Sequence, residues 1–363
     1  MTAARAAHRR TALRSLLPAA GVDALLVTDL VNVCYLTGFT GSNGALLLHA
    51  DSDARSRFGT DGRYRTQAAA EVPDLAVVED RATALALAAL AGALGVTALG
   101  YESDAVTVDA HTALARVAPV PLHRAPGLTA GLRAVKDETE VDALRTACAA
   151  ADAALADLLA AGGLAPGRTE RDVALDLEVR MRGHGAQGPA FATIVAAGEH
   201  SAVPHHRPTG AELRRGDLVT LDFGALSAGY HSDMTRTLVL GPAADWQRDL
   251  YALVAAAQRA GRAALAPGAD VVAVDAAART VVEEAGRGEE FPHGLGHGVG
   301  LEIHEAPALS PRGSGALPAG ATVTVEPGVY LPDRGGVRIE DTLVVRAGAP
   351  ELLTLTTREL LEV

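Results

Sequence analysis

Residues 291–305 read Phe-Pro-His-Gly-Leu-Gly-His-Gly-Val-Gly-Leu-Glu-Ile-His-Glu. Three of the chain's 12 histidines fall in this stretch, His293, His297 and His304. Gly294, Gly296, Gly298 and Gly300 occupy alternate positions between them. Imidazole is costly to bury without a partner, and glycine returns little packing. Alternate glycines let a neighbouring backbone or a ligand approach rings that side chains would otherwise screen. Read alone, the stretch could be a Gly-rich surface loop. The acids elsewhere in the chain argue against that.

Asp217-Leu-Val-Thr-Leu-Asp-Phe-Gly alternates as a strand, with Leu218, Thr220 and Asp222 on one face. Residues 230–240 would form its hairpin partner and carry Asp233. Thr322-Val-Thr-Val-Glu-Pro-Gly places Glu326 on the face of Thr322 and Thr324, and Val337-Arg-Ile-Glu-Asp-Thr places Glu340 beside Arg338. Strand side chains alternate between faces, so each acid points away from its aliphatic neighbours. An acid in an apolar strand is expensive unless it is paired, hydrogen-bonded or bound to metal. One such acid is ordinarily a salt bridge or an exposed edge. Four of them, with a Gly-flanked histidine cluster, point to a metal site. Oxygen-rich donors with one imidazole suit Mn²⁺, Co²⁺, Fe²⁺ or Zn²⁺, and four carboxylates carry charge enough for two divalent ions. No His-Glu-x-x-His occurs, and the glycines of 294–300 lack the Gly-x-Gly-x-x-Gly spacing of a dinucleotide site.

The remainder of the chain frames these strands. Its 363 residues suggest two domains, and 48% hydrophobic content suffices for a large core. With 32 basic and 44 acidic residues, the net charge of −12 opposes nucleic-acid binding. Two cysteines, Cys34 and Cys148, make no disulfide framework and suit a reducing compartment. Arg9-Arg10 followed by leucines superficially suggests a targeting signal, but Pro18, Gly21 and Asp23 interrupt it, so an amphipathic first helix is expected. No apolar run is long enough to span a membrane, and a cytoplasmic protein is expected. Strands at 24–27 and 45–49 alternate with helices at 63–70 and 83–94, an α/β amino-terminal domain in which Asp29 and Asp61 serve equally well as caps. Residues 125–131, rich in Pro and Gly, are the candidate linker. Asp137 with Glu140 opens a long helix by a capping box, and further helices are expected at 169–183, 246–266 and 271–285.

Leu221-Asp-Phe-Gly, Ser232-Asp-Met-Thr-Arg-Thr, the 293–305 stretch, Val325-Glu-Pro-Gly and Val337-Arg-Ile-Glu-Asp-Thr resemble, in order, the motifs of the aminopeptidase P/prolidase family. Tyr35-Leu-Thr-Gly-Phe-Thr-Gly and Thr60-Asp-Gly-Arg-Tyr resemble its creatinase-type amino-terminal domain. The resemblance implies a two-domain α/β chain: a creatinase-like domain over 1–131 and an α+β pita-bread metallopeptidase domain over 132–363. It implies Asp222, Asp233, His297, Glu326 and Glu340 as ligands of two metal ions, Mn²⁺ by family habit, with Asp233 and Glu340 bridging. Glu326 would also shuttle a proton. His205, followed directly by His206, matches the first active-site histidine. His304 matches the one that steadies the scissile carbonyl, and His293 and Arg338 match substrate contacts. The implied activity is hydrolysis of the Xaa-Pro bond at a peptide amino terminus by a bridging hydroxide; the resemblance also implies a homodimer and, as partners, peptides with proline second. Rival readings are a non-catalytic pita-bread binding module, a methionine aminopeptidase and a creatinase-type hydrolase. The occupied ligand set opposes the first and last, and Arg338 with the extra domain opposes the second.

Overall fold

The structure, a computed structural model, describes residues 2–363. The chain divides into two compact units, Met1–Arg133 and Ala134–Val363. Among the described residues no helix is long and apolar enough to cross a membrane.

The first unit is built on a six-stranded sheet. In chain order its strands are β1 (Ala24–Val27), β2 (Gly44–His49), β3 (Arg57–Thr60), β4 (Ala76–Glu79), β5 (Leu99–Tyr101) and β6 (Leu122–Arg124). They lie in the order β4-β3-β2-β1-β5-β6. Every residue of β1 and β2 is buried, as their unbroken aliphatic runs require. Parallel pairing of β1 with β5, β3 with β4 and β5 with β6 needs crossovers, supplied by helices including α3 (Arg65–Glu71), α4 (Thr83–Leu90) and α5 (Val108–Val117). The first helix, α1 (Ala3–Arg14), does not merely lie amphipathically on this sheet. Its Arg10 is fully buried and reaches Asp53 at 2.8 Å and Asp74 at 2.5 Å. Residues 30–37, for which no helix is expected from sequence, form α2 (Leu30–Thr37). Asp29 caps it by accepting from the N–H groups of Val31 and Asn32, and Gly38 ends it at φ +85°. Asp61 likewise accepts from the Arg63 N–H, so both acids act as caps. Half of the candidate linker is helical, in α6 (Leu128–Arg133).

The second unit has two similar halves. In the first, α7 (Glu138–Ala160) and α8 (Glu170–Gly183) pack on the antiparallel sheet β12-β9-β8. Those strands are β8 (Ile194–Ala197), β9 (Leu218–Phe223) and β12 (Met234–Val239), and the short strands β7 (Gly188–Pro189), β10 (Ala225–Ser227) and β11 (Tyr230–His231) make a separate sheet. In the second half, α9 (Asp245–Ala264) and α10 (Val271–Glu284) cover the sheet β14-β13-β15-β18-β19. Its strands are β13 (Gly296–Gly298), β14 (Glu305–Leu309), β15 (Thr322–Val325), β18 (Asp341–Val344) and β19 (Glu351–Leu352). A hairpin of β16 (Gly328–Leu331) and β17 (Gly335–Arg338) sits between β15 and β18 in the chain. Asp137 caps α7 through a complete capping box. Both cores are aliphatic, as the 3% aromatic content dictates. Trp246, the one tryptophan, packs partly buried at the edge of the second core with the Arg334 guanidinium 4.3 Å over its ring.

Two expected strands are broken. Residues 230–240 split into β11 and β12 with Asp233 in the gap, and residues 337–345 split into β17 and β18 with Glu340 in the gap. The register of β12 on β9 sets Thr235 opposite Asp222, and a backbone bond from the Glu340 N–H to the Thr235 carbonyl joins the two halves. Only Asp222 lies inside a strand. Asp233, Glu326 and Glu340 occupy strand ends, where the chain leaves one ladder and turns its acids toward a shared space.

Candidate active site

That space is a cleft of about 590 Å³ in the second unit. All nine residues singled out from the sequence line it: His205, Asp222, Asp233, His293, His297, His304, Glu326, Arg338 and Glu340. Phe191, Ile194 and Ile303 add apolar wall.

The glycines place His297. A Cβ on Gly296 would lie 2.1 Å from the Thr324 carbonyl oxygen, and one on Gly298 would lie 2.2 Å from that of Ala306. Alternation therefore lets the backbones of β14 and β15 close on β13, and the approach is by neighbouring strands. The His297 N–H donates to Thr324 Oγ1 at 3.1 Å, and its Nδ1 lies 3.0 Å from the Gly298 carbonyl. A carbonyl only accepts, so the proton sits on Nδ1 and Nε2 is directed at the acids. Nε2 is 3.2 Å from Glu326 Oε1 and 3.6 Å from Asp233 Oδ2. Asp233, His297 and Glu340 bring one ligand atom each within 4.8 Å of one another.

Charge in this cluster is unbalanced. Burial, then repulsion from Glu340, Asp222 and Glu326, holds the Asp233 carboxyl well above its ordinary range. Glu340 is raised in the same way, by burial and then by Glu326 and Asp222. Burial also raises Asp222, against the pull of Arg338. Glu326 differs: burial raises it, but the hydrogen bond and charge of His297 outweigh that and bring it to about 2. Two carboxylate oxygens, Asp222 Oδ1 and Glu340 Oε1, are buried with no hydrogen-bond partner. Buried anionic oxygens without donors, set among mutually repelling acids, are the environment a divalent cation satisfies. The donor set of four carboxylates and one imidazole fits hard to borderline divalent ions.

Behind the acids runs a chain of hydrogen bonds not anticipated from sequence. Arg338 donates to Asp222 Oδ2 at 2.7 Å, to Thr235 Oγ1 at 3.0 Å and to Tyr330 Oη at 2.9 Å. The Thr235 hydroxyl in turn donates to Glu340 Oε2 at 2.7 Å. Tyr330 Oη, accepting from Arg338, has its proton left for His293 Nε2, 2.9 Å away. His293 Nδ1 then donates to the Gly294 carbonyl at 2.8 Å, and burial holds this imidazole neutral by lowering its pKa. Thr235 sits in the Asp-Met-Thr-Arg-Thr run and Tyr330 just past Glu-Pro-Gly. Their positions in those motifs were the one available signal. His304 stacks edge-on to His297, ring centroids 4.4 Å apart, and burial followed by the His297 charge lowers its pKa. His205 and His206 both line the cleft; His205 is exposed there, whereas the less exposed His206 holds its Nε2 2.9 Å from Glu170 Oε2.

The profile of Metallopeptidase family M24 matches residues 142–347, and that of the Creatinase/Prolidase N-terminal domain matches residues 9–135. The chain belongs to family M24. Its second unit has the pita-bread fold of that family and its first the creatinase-type fold. It is a metallopeptidase of a family that uses divalent metals, and one group of candidate ligand residues, Asp233, His297 and Glu340, lies in the cleft. Over 96% of this chain and 98% of the relative, it is 38% identical to the uncharacterized peptidase YqhT of Bacillus subtilis. An Xaa-Pro dipeptidase from Bacillus anthracis superposes with a TM-score of 0.94 at 37% identity, over 99% of this chain and 100% of that one. An X-Pro aminopeptidase from Thermotoga maritima superposes at 0.86 and 32% identity, over 94% and 98%.

Proposed function

We propose that this M24 chain hydrolyses the Xaa-Pro bond at the amino terminus of peptides. The observation that carries the reading is the convergence of five donor residues on one cleft floor with Asp222 Oδ1 and Glu340 Oε1 buried and unpartnered. Asp222, Asp233, His297, Glu326 and Glu340 would hold two divalent ions, Mn²⁺ in our reading. When bound, such a pair supplies Lewis acidity toward the scissile carbonyl and an activated water.

The chain's own residues do the rest. Glu326 accepts a proton from the attacking water and delivers it to the leaving proline nitrogen. His304 stands beside His297 on the open side of the cleft, where it donates to the carbonyl oxygen as negative charge grows. His205 faces the cleft from the opposite motif. His293 and Arg338, coupled through Tyr330, form a fixed wall against which the substrate is placed. A tertiary amide has no N–H to grip, so recognition through carbonyl, ring and terminus loses nothing at proline. We further propose a cytoplasmic homodimer, which sedimentation would measure.

Mn²⁺-loaded protein offered an Xaa-Pro dipeptide and an Xaa-Pro-Xaa tripeptide, with a chelated control, tests the reading. Chelator-sensitive cleavage is expected, and the preferred length separates dipeptidase from aminopeptidase. No cleavage of either by protein with metal bound would overturn it in favour of another substrate or a binding role.

A further inference from the structure

A second cluster of acid and imidazole lies outside the ligand set. Glu170, the first residue of α8, has a fully buried side chain and faces His200 and His206, whose rings stack 4.3 Å apart. The three group closely enough to hold a metal ion, yet the carboxylate has no vacancy for one. Its Oε1 accepts from the Ala197 N–H at 3.0 Å and His200 Nδ1 at 2.8 Å. Its Oε2 accepts from His206 Nε2 at 2.9 Å, the Thr209 N–H at 2.9 Å and Thr209 Oγ1 at 2.7 Å. Five donors already fill about four lone-pair directions. The contrast with Asp222 and Glu340, each with an oxygen left bare, is direct.

All five donors belong to one segment, residues 197–209, entered from β8. Between the anchor points lie Pro204, whose carbonyl accepts from Arg338 NH1 at 3.3 Å, and His205 on the cleft wall. Ser201 adds a further tie by accepting from the Gly336 N–H at 2.9 Å. The loop is otherwise short of regular structure, with only a 3₁₀ turn over Gly198–Ala202. We infer that Glu170 is a positioning residue: by gathering five donors from the 197–209 loop it fixes where His205 stands in the cleft. Burial by itself would raise the Glu170 carboxyl, but His206 and the Ala197 N–H, with Thr209 and His200, bring it to about 2, so the anchor stays charged at neutral pH. The inference rests on the proposed reading of His205 as a group that meets substrate.

Glu170→Gln keeps the shape but points an amide NH₂ at groups that also donate. On an Xaa-Pro dipeptide, kcat/KM is expected to fall about tenfold or more, since small displacements of a reacting group are costly. In a His205→Ala background the same change is expected to lower kcat/KM less than twofold, because the two act through one route. Equal losses in both backgrounds would show Glu170 to be a general structural support and overturn the inference. Should Glu170→Gln fail to fold, Thr209→Val removes one side-chain donor, leaves the carboxylate, and is carried through the same cycle. Hydrogen–deuterium exchange supplies a readout without turnover: protection over 197–209 is expected to drop in either variant while β9 and β12 stay protected. Unchanged exchange would also overturn it. If the wild type cleaves no Xaa-Pro peptide, the proposed function fails, and exchange alone decides the anchor.

Discussion

Tyr330 shows how much one hydroxyl organises. It accepts from Arg338 and donates to His293, so Tyr330→Phe leaves the packing and removes two bonds. We expect KM to rise roughly tenfold with a smaller change in kcat, in line with a loss of about 1–2 kcal/mol; a drop confined to kcat would contradict a substrate-binding role. Asp222→Asn and His297→Ala should each abolish turnover and lower the bound metal measured by elemental analysis, and full activity in either would remove it from the ligand set. Glu170 gives a pH signature. Its folded-state carboxyl, at about 2, lies below the ordinary 4.5. A depressed acid stabilises the fold above its unfolded pKa, and that stability is lost as pH falls from 4.5 toward 2. The stability gap between wild type and Glu170→Gln, on the order of 3 kcal/mol at neutral pH, should therefore narrow through that window. A gap that widened on acidification would reverse the sign and refute the assignment.

At the scale of strands, the acids hold position because β12, β15 and β18 are locked in register. Fully buried Asp341 accepts from Arg236 at 2.8 Å, and Arg236 also reaches the carbonyls of Thr235 and Glu340. Asp341→Ala would strand a buried guanidinium and should lower stability by about 3–5 kcal/mol in denaturant melts. Gly296→Ala should be comparably disruptive for a steric reason, because its Cβ would meet the Thr324 carbonyl at 2.1 Å. Both features also mark the limits of sequence reading. Alternation identified which acids share a face and which glycines permit close approach. It did not reveal that Asp233 and Glu340 sit in gaps between strands, since the hydrophobic period runs straight across each break. The helix α2 was hidden for a related reason: Leu30-Val-Asn-Val-Cys-Tyr-Leu-Thr is rich in β-branched residues, and burial with an Asp29 cap overrides that propensity. Partners far apart in sequence, such as Arg10 with Asp74 or Glu170 with the 197–209 loop, leave no local pattern to read.

For the whole molecule, the repelling acids of the cleft tie stability to metal. Ion binding to the folded chain alone contributes about 2.7 kcal/mol at a hundredfold excess over Kd. Calorimetry with Mn²⁺ and with chelator should separate the two unfolding midpoints by several degrees, and coincident midpoints would argue that the carboxylates are satisfied without an ion. Trp246 determines how such a melt should be followed. As the chain's one tryptophan it belongs to the second unit, whereas Tyr35, Tyr64 and Tyr101 are in the first. Indole emission is thus a spectroscopic label built into the catalytic half and silent about the other. A denaturation curve excited at the red edge of the absorption band will follow one unit, circular dichroism will follow both, and any offset between the curves will report whether they unfold in one step.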